Sequence, residues 1–412
     1  MQRFIRLAAL TLAALFLASA VAQTNLTFWS WRTEDVAAYE QFIAAFHAEN
    51  PDINVTFTPY LNTEYNTIVA TALQGGGGPD IVHLRAYGGM ESLAGAGLLT
   101  SLDGKVAALD GFDKGILLGA TNRADGGVYG VPFALQTVQV LYNKAMFERL
   151  GLSEPTTWSE FLAVGDALKA SGVYALANGG KDPWTLETMF GAVAPTFYGC
   201  TPFFEEITAG KTNFLDPRFE AGLQRMLDLR PYMADNFMGV AYTDMQTMFA
   251  FEQAGMMIGG SYELGNMASL NPDLEVGSFA VPADDAATPS CISYYVDGSY
   301  GINAASPHQA EALRFIEFLA SQKFGQMFTD TLQQISAVPG TVPGSKPLAE
   351  MVEMMNSEGT PYLMLTAFRF GQPSGSTLLQ NEMQAAMAGD RTVAAVAANI
   401  QRGVAEWFVP FQ

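Results

Sequence analysis

Residues 127–144 read GVYGVPFALQTVQVLYNK, a long extended segment rich in valine, leucine and aromatic residues. The turn residues Asp125 and Gly126 precede it. Pro132 lies inside the segment, where a central strand would lose one ladder hydrogen bond. The fixed φ of proline suits a strand that leaves one sheet, bends, and enters another. The segment therefore predicts a chain crossing between two lobes, and we expect a ligand cleft where the chain crosses.

The chain before this crossing alternates strand and helix patterns. Residues 26–31, 53–57 and 80–84 read as strands, while residues 39–46 and 63–73 carry apolar residues at helical spacing. This β-α-β-α-β order predicts the start of a doubly wound α/β lobe.

The chain after the crossing is richer in helix patterns. Thr157 and Glu160 form a capping box at one helix start. Two more segments, near residues 291–299 and 336–340, have the pattern of further crossings. The predicted fold class is therefore α/β, with two doubly wound lobes joined by three hinge crossings.

The first 22 residues have the pattern of a secretory signal peptide. Arg3 and Arg6 give a basic start, residues 7–17 form an apolar run, and residues 20–22 (AVA) are a small-x-small cleavage site. No later run approaches the ~20 apolar residues that span a bilayer. No cysteine lies near the cleavage site to carry a lipid anchor. We expect a soluble exported protein, most simply a periplasmic one, whose mature chain begins near Gln23.

Charge and cysteine content exclude some function classes and leave others open. The formal net charge of −20 would repel a phosphate backbone, so we expect no nucleic-acid partner. Cys200 and Cys291 are the two cysteines of this 412-residue chain. Export permits a disulfide between them, and two free buried thiols are the alternative. With three scattered histidines besides, we expect no metal site and no cofactor.

Seven segments, taken in their order along the chain, resemble the extracellular solute-binding proteins of carbohydrate ABC importers, the maltose-binding-protein-like family. They are LTFWSW (26–31), GPDIVHL (78–84), GGVYGVPFALQTVQVLYNK (126–144), PTTWSEFLAVGDALK (155–169), GMMIGGSYELGNM (255–267), DGSYGINAASPHQAEALRFIEFLAS (297–321) and SAVPG (336–340). Each segment alone is a weak signal, but the ordered set covers essentially the whole mature chain.

The resemblance implies two lobes with the ligand bound in the cleft between them. Residues 23–131 and 299–336 would form an N-lobe, and residues 133–297 and 340–412 a C-lobe. Ligands of open α/β sheets bind at the carboxyl ends of strands, and hinge closure around a ligand occurs in binding proteins of this kind.

Predicted ligand contacts on the N-lobe side follow two strands. Trp29, Ser30 and Trp31 end the first strand, where rings can stack on sugar CH faces and hydroxyls can form hydrogen bonds. A tryptophan pair in the core is the alternative. Arg85 and Tyr87 follow a later strand, and Arg85 would either donate hydrogen bonds to sugar hydroxyls or form a surface salt bridge.

Predicted contacts on the C-lobe side include Gln136, a polar residue just past the proline that either touches ligand or faces outward. Lys181 and Trp184 begin a helix where the family often has an aromatic platform; for Trp184 the lobe core is the alternative. Ser261 and Tyr262 open another helix, whose amides can bind ligand oxygens. The family commonly has tryptophan where this chain has Tyr262.

The segment 297–300 (DGSY) matches a family segment that is more usually Gly-Gly-x-Gly. Asp297 would accept hydrogen bonds from sugar hydroxyls, or would serve only as a turn residue. Gly298, Ser299 and Tyr300 are predicted contacts beside it. Arg369 is predicted to reach the cleft from the C-lobe.

These features predict a monomeric periplasmic receptor, not an enzyme. It would capture a di- or oligosaccharide by lobe closure and deliver it to the membrane permease of an ABC importer, which works with a cytoplasmic ATPase. A secreted glycoside hydrolase with paired carboxylates is the alternative from another class, but no Gly-x-Ser-x-Gly nucleophile motif is present. The third interpretation is a non-sugar ligand such as glycerol phosphate or a polyamine. An anionic ligand is an open alternative because of three basic residues among the predicted contacts, Arg85, Lys181 and Arg369.

Overall fold

The structure is a computed structural model that describes residues 23–412, so the predicted signal peptide at residues 1–22 lies outside the described residues. The strands in this range are β1 (Thr24–Ser30), β2 (Ile53–Pro59), β3 (Ile81–Arg85), β4 (Val131–Asn143), β5 (Tyr174–Leu176), β6 (Ala254–Gly260), β7 (Val276–Phe279), β8 (Ile292–Ile302), β9 (Ile335–Ser336) and β10 (Gly359–Pro361).

The α-helices in the same range lie between these strands and after them. They are α1 (Val36–Glu49), α2 (Asn62–Gln74), α3 (Gly88–Gly95), α4 (Lys114–Leu117), α5 (Lys144–Leu150), α6 (Trp158–Ala170), α7 (Pro183–Tyr198), α8 (Cys200–Thr208), α9 (Pro217–Asp228), α10 (Tyr242–Ala250), α11 (Glu263–Leu270), α12 (Gln309–Leu319), α13 (Gln322–Leu332), α14 (Lys346–Glu358), α15 (Leu363–Thr366), α16 (Gly375–Ala388) and α17 (Val393–Ala405). None of these helices is both long enough and apolar enough to cross a lipid bilayer.

The sheet is mixed, and its strand order is β2-β1-β3-β8-β4-β6-β5. Strands β2, β1 and β3 are parallel neighbours, and so are β6 and β5 at the other end. The long strands β4 and β8 pair antiparallel with each other between these two parallel groups. The predicted α/β fold class is confirmed, and β4 and β8 are the strands that join its halves.

Apolar side chains gather in two main cores. The N-terminal core draws its members from residues 26–134 and 300–338. The C-terminal core draws from residues 138–281 and 362–404. A further cluster covers the other face of the C-terminal sheet, so that Val140 of β4 packs in one cluster and its neighbour Leu141 in the other. Each lobe therefore has its own core, which is the condition for lobes that move as separate bodies.

Three segments pass from one core to the other. In β4, Phe133 packs in the N-terminal core and Val138 in the C-terminal core. In β8, Tyr295 packs against the C-terminal core and Tyr300 lies in the N-terminal core. Around β9, Ile335 belongs to the further cluster of the C-terminal lobe, and the chain returns to the N-terminal core two to three residues later.

The change of core in β4 lies slightly beyond the proline. Phe133 and Ala134 still belong to the N-terminal core, although a boundary at Pro132 would assign them to the C-lobe. The register of β4 against β8 shifts between Pro132 and Ala134 and again between Ala134 and Leu135. These irregularities bend the strand after the proline, so the crossing occupies residues 135–137.

Two local features of the sequence are found in the structure. At the start of α6 the Thr157 hydroxyl accepts a hydrogen bond from the Glu160 amide, and the Glu160 carboxylate accepts one from the Thr157 amide. These two hydrogen bonds confirm the capping box. Cys200 and Cys291 form a disulfide, the first of the two alternatives, with Cα atoms 6.0 Å apart.

Candidate ligand-binding cleft

A cavity of about 630 Å³ lies between the two cores. On the N-terminal side its wall consists of the loop after β1, the start of α2 and the end of β3. On the C-terminal side the wall consists of α7, α10, α11 and the segment from 362 to 380. Tyr295 and Asp297 of the crossing strand β8 connect the two walls. The volume falls within the roughly 300–1,000 Å³ of typical small-molecule pockets.

The structure brings a subset of the sequence-predicted residues to this cavity. They come from six separate parts of the chain and are Trp31, Arg85, Trp184, Tyr262, Asp297 and Arg369. The other nine predicted contacts do not line it, and their side chains are engaged elsewhere.

Two of these nine lie at the end of β1, directly before the residues that line the cavity. Trp29 packs against Tyr60, with ring centroids 4.9 Å apart. The Ser30 hydroxyl accepts from the backbone amide of Arg32 and forms a hydrogen bond of 2.7 Å with Nδ1 of His83. Because side chains alternate along a strand, Ser30 points into the N-terminal core while the residue after it reaches the cleft.

Gln136 and Ser261 form a buried link in the crossing region instead of touching the cavity. The Ser261 hydroxyl donates to Oε1 of Gln136 at 2.7 Å. Nε2 of Gln136 donates to Oε1 of Gln334 at 2.9 Å. Since the Gln136 side chain is fully buried, these hydrogen bonds satisfy it inside the protein and fasten β4 to the end of β6 and to β9.

Three further predicted contacts are packed into β8. Gly298 lies so close to Leu84 and to the Trp31 ring that a Cβ atom would not fit. Ser299 is buried, and a Cβ on Gly130 would collide with it. The Tyr300 hydroxyl is 2.7 Å from that of Tyr39 in the N-terminal core. These three residues therefore build the strand that supports the cleft.

Tyr87 and Lys181 are not part of the cavity lining. The Tyr87 hydroxyl accepts from the backbone amide of Val296, which ties the N-terminal lobe to the crossing strand. Lys181 is exposed in the loop before α7, and its own amide donates to Val240. Neither side chain reaches the cavity wall.

Aromatic rings form much of the C-terminal wall. Trp184 stands half-buried in the first turn of α7, with its ring edge-on to Tyr242 at 4.6 Å. Tyr262 and Tyr295 add two more rings, and Tyr295 packs edge-on to the buried Tyr362. Sequence reasoning missed Tyr242, Tyr295 and Tyr362. The period of two along β8 was a usable signal for Tyr295, because it shares a strand face with Asp297.

An arginine that sequence reasoning also missed organises the N-terminal wall. Nε of Arg32 donates to Oδ2 of Asp35 at 2.5 Å, and its Nη1 donates to Oδ2 of Asp297 at 3.1 Å. Arg32 is only 4% exposed. Asp297 is therefore part of a buried ion network, in addition to lining the cavity.

Two buried carboxyl groups lie in or behind the C-terminal wall. Glu187 lines the cavity, accepts from Nε2 of Gln380 at 2.6 Å, and has no partner for Oε1 among the described residues. Burial raises the pKa of its carboxyl, against the opposing charge of Arg369. Glu263 lies behind the wall, where burial raises its pKa to about 7 and Gln246 donates to it at 2.9 Å. In both groups burial favours the neutral, protonated form of the carboxyl.

The cleft combines ring faces with many polar groups, an arrangement suited to a ligand with apolar faces and hydroxyl edges. Within residues 23–412, no three histidine, cysteine, aspartate or glutamate side chains are grouped so as to hold a metal ion.

Known proteins resemble this chain in both sequence and fold. The chain is 24% identical over 325 residues to the "Multiple sugar-binding protein" of Streptococcus mutans serotype c. The alignment covers 77% of this chain and 76% of that protein. It is 27% identical over 391 residues to a "Probable sugar-binding periplasmic protein" of Brucella suis biovar 1, with 87% and 89% covered. A solved "Chitin oligosaccharide binding protein" superposes with a TM-score of 0.80 at 22% identity, covering 94% of this chain and 99% of that one.

The family model described as "Bacterial extracellular solute-binding protein" matches residues 29–326. This range includes the ends of β1 and β3, the aromatic wall at α7, α10 and α11, and the crossing strands β4 and β8. The chain therefore belongs to the bacterial extracellular solute-binding protein family.

Proposed function

We propose that this protein is the substrate-binding receptor of an ABC importer and that its ligand is a carbohydrate of two or more rings. The observation that carries the proposal is the cavity between two separate cores, with Trp184, Tyr242, Tyr262 and Tyr295 on or near one wall and polar side chains on the other. Aromatic faces stack on the CH faces of sugar rings, and the polar groups bind hydroxyls. The two relatives with sugar-binding names support this choice of ligand.

Binding is proposed to occur by closure of the lobes. We keep the predicted lobes, residues 23–131 with 299–336 for the N-lobe and residues 133–297 with 340–412 for the C-lobe, except in β4. There we propose that the boundary lies at residues 135–137. Closure removes the ligand and the wall from water, which strengthens each hydrogen bond between them. A micromolar dissociation constant requires only about −8 kcal/mol, within reach of a few stacked rings and hydrogen bonds.

The wider role follows from the family. We propose that the mature protein is soluble in the periplasm, acts as a monomer, and presents the closed form to membrane permease subunits that work with a cytoplasmic ATPase. This role needs no catalytic group. A glycoside hydrolase would instead need an acid and a second carboxylate placed on either side of a scissile bond.

The test is a thermal-shift screen of the mature protein against mono-, di- and trisaccharides and glycerol phosphate, followed by calorimetry on each positive. A ligand that binds the native state raises the melting temperature by mass action. We expect at least one oligosaccharide to do so with one site per chain and no product formation. The proposal would be overturned if no carbohydrate raised the melting temperature, or if the protein converted a bound sugar to product.

A further inference from the structure

Arg85 and Arg369 lie at a junction between two cavities. The main cavity of about 630 Å³ is accompanied by a second cavity of about 290 Å³. The second one lies between α2 and α3 of the N-terminal lobe and the segment from 369 to 380 of the C-terminal lobe. The residues that line both cavities are Asn66, Arg85, Arg369 and Gln380. A ligand that extends from one cavity to the other must pass these two guanidinium groups.

Neither arginine has a carboxylate partner in the part of the chain that the structure describes. Arg85 donates to the neutral side chains of Asn66, at 3.1 Å, and Asn62, at 2.7 Å. The Arg369 guanidinium makes no hydrogen bond to any residue in the range 23–412. The nearby Arg32 differs, because it lies between two aspartates. In a chain of net charge −20, two half-buried arginines without acidic partners are unusual.

The two carboxyl groups near this junction form no salt bridge with Arg85 or Arg369, although the charge of Arg369 acts on Glu187. Asp297 forms its ion pair with Arg32. Glu187 accepts from Gln380 and is buried, which favours its neutral form. Burial and the charge of Arg369 lower the pKa of Arg85 to about 10, so the two guanidinium groups repel each other. An anion between them would replace this repulsion with charge-assisted hydrogen bonds.

The junction exists because the lobes are in contact there. Gly88, at the start of α3, packs directly against the backbone of Arg369 and Phe370. Arg123 of the N-terminal lobe also stacks on the Phe370 ring, 3.2 Å from its centroid. Separating the lobes would move Arg369 away from Arg85. An anion bound to both arginines would therefore favour the closed arrangement over the open one.

We propose that the carbohydrate carries an anionic group, either the carboxylate of an acidic sugar or a phosphate ester, and that Arg85 and Arg369 bind this group between them. The neutral rings of the ligand lie in the main cavity against Trp184 and Tyr262. The sugar unit that carries the anionic group lies in the second cavity and contacts polar side chains there, such as Ser92 and Thr377. Planar guanidinium forks match both carboxylate and phosphate oxygens. This inference rests on the proposed carbohydrate-receptor function.

The experiment compares matched acidic and neutral ligands by calorimetry on the full mature protein. The pairs are digalacturonate with its methyl ester, trehalose 6-phosphate with trehalose, and glycerol 3-phosphate with glycerol. We expect the acidic member of at least one saccharide pair to bind about tenfold or more tightly than its neutral partner. That preference should weaken as salt rises, and the pair that responds identifies the anion as carboxylate or phosphate.

Arg369→Gln and Arg85→Gln should each weaken binding of the acidic member about tenfold more than binding of the neutral member, which removes the preference for the acid. Arg402→Gln, which removes a charge from the exposed end of α17, is the control and should change neither affinity. Equal binding of acidic and neutral saccharides would overturn this inference and leave the receptor function standing. Equal losses for both members in Arg369→Gln would also overturn it. Binding of glycerol 3-phosphate without any saccharide would overturn the carbohydrate assignment instead.

Discussion

The guanidinium of Arg85 lies over the ring of Trp31, 3.8 Å from its centroid. His83, two residues earlier on the same face of β3, stacks on Trp31 with ring centroids 4.2 Å apart. Trp31 therefore already packs against two side chains of β3. Trp184, Tyr262 and Tyr295 add further rings to the cavity lining.

Trp184→Ala should lower the affinity for the carbohydrate by about tenfold or more, because it removes a half-exposed ring from the wall. The melting temperature of the unliganded protein should change little. Calorimetry and thermal unfolding measure the two effects. Phe251→Ala is the control, since this ring is 54% exposed and does not line the cleft. Unchanged affinity in Trp184→Ala would remove Trp184 from the site.

Gly88→Ala should weaken ligand binding by about tenfold or more, because it should hinder closure of the lobes. The added methyl group would collide with the backbone of Arg369 and Phe370 in the closed arrangement and would be free of them once the lobes separate. Alanine is also the better helix former, so the unliganded protein should not lose stability.

Gly95→Ala is the matched control for this variant. It lies in the same helix α3, and a Cβ atom there meets nothing within 4 Å. Calorimetry gives the affinities, and small-angle scattering with and without ligand reports closure. Equal affinities for the two variants would show that the contact between Gly88 and Arg369 does not form in the bound state.

Arg32→Ala should lower the free energy of unfolding by about 3 kcal/mol or more, because it leaves Asp35 and Asp297 close together without their buried cation. Urea denaturation measures the loss. Arg314→Ala, which breaks the more exposed pair with Asp52, should cost much less. Similar losses in the two variants would mean that the Arg32 network contributes no more than a surface ion pair.

Glu263 should make stability depend on pH between about 4.3, its unfolded pKa, and about 7, its folded pKa. In this window the folded state binds more protons than the unfolded state, so the free energy of unfolding falls as pH rises. Glu263→Gln cannot titrate. The stability of wild type relative to this variant should therefore fall, on the order of 1–3 kcal/mol, from about pH 4.5 to pH 7.5.

Urea unfolding of wild type and Glu263→Gln at several pH values checks this dependence. Glu353→Gln, at an exposed position on α14, is the control variant measured alongside. A constant difference for Glu263→Gln would contradict the raised pKa.

Some features of the site could be read from neighbouring residues, and others could not. Arg85, Trp184 and Tyr262 each lie at a strand end or a helix start, and this position together with the family resemblance directed them toward the cleft. Arg32 directly follows Trp31 and was overlooked, since its two carboxylate partners became visible only when Asp297 was placed beside it. The separation of 265 residues between Arg32 and Asp297 explains why no local pattern reveals the pair.

Local patterning and the order of motifs were enough to predict two α/β lobes, three crossings, the capping box and the solute-binding family. The α/β pattern and the capping box depend on periodicity and turn chemistry, which act over a few residues, while the family was identified from the resemblance of the ordered motifs. Gln136 is the opposite case: a lone polar residue past Pro132 suggested a ligand contact, yet its partners Ser261 and Gln334 lie 125 and 198 residues away in the chain. Which polar groups are left for a ligand depends on these long-range hydrogen bonds, and only the packed tertiary structure decides them.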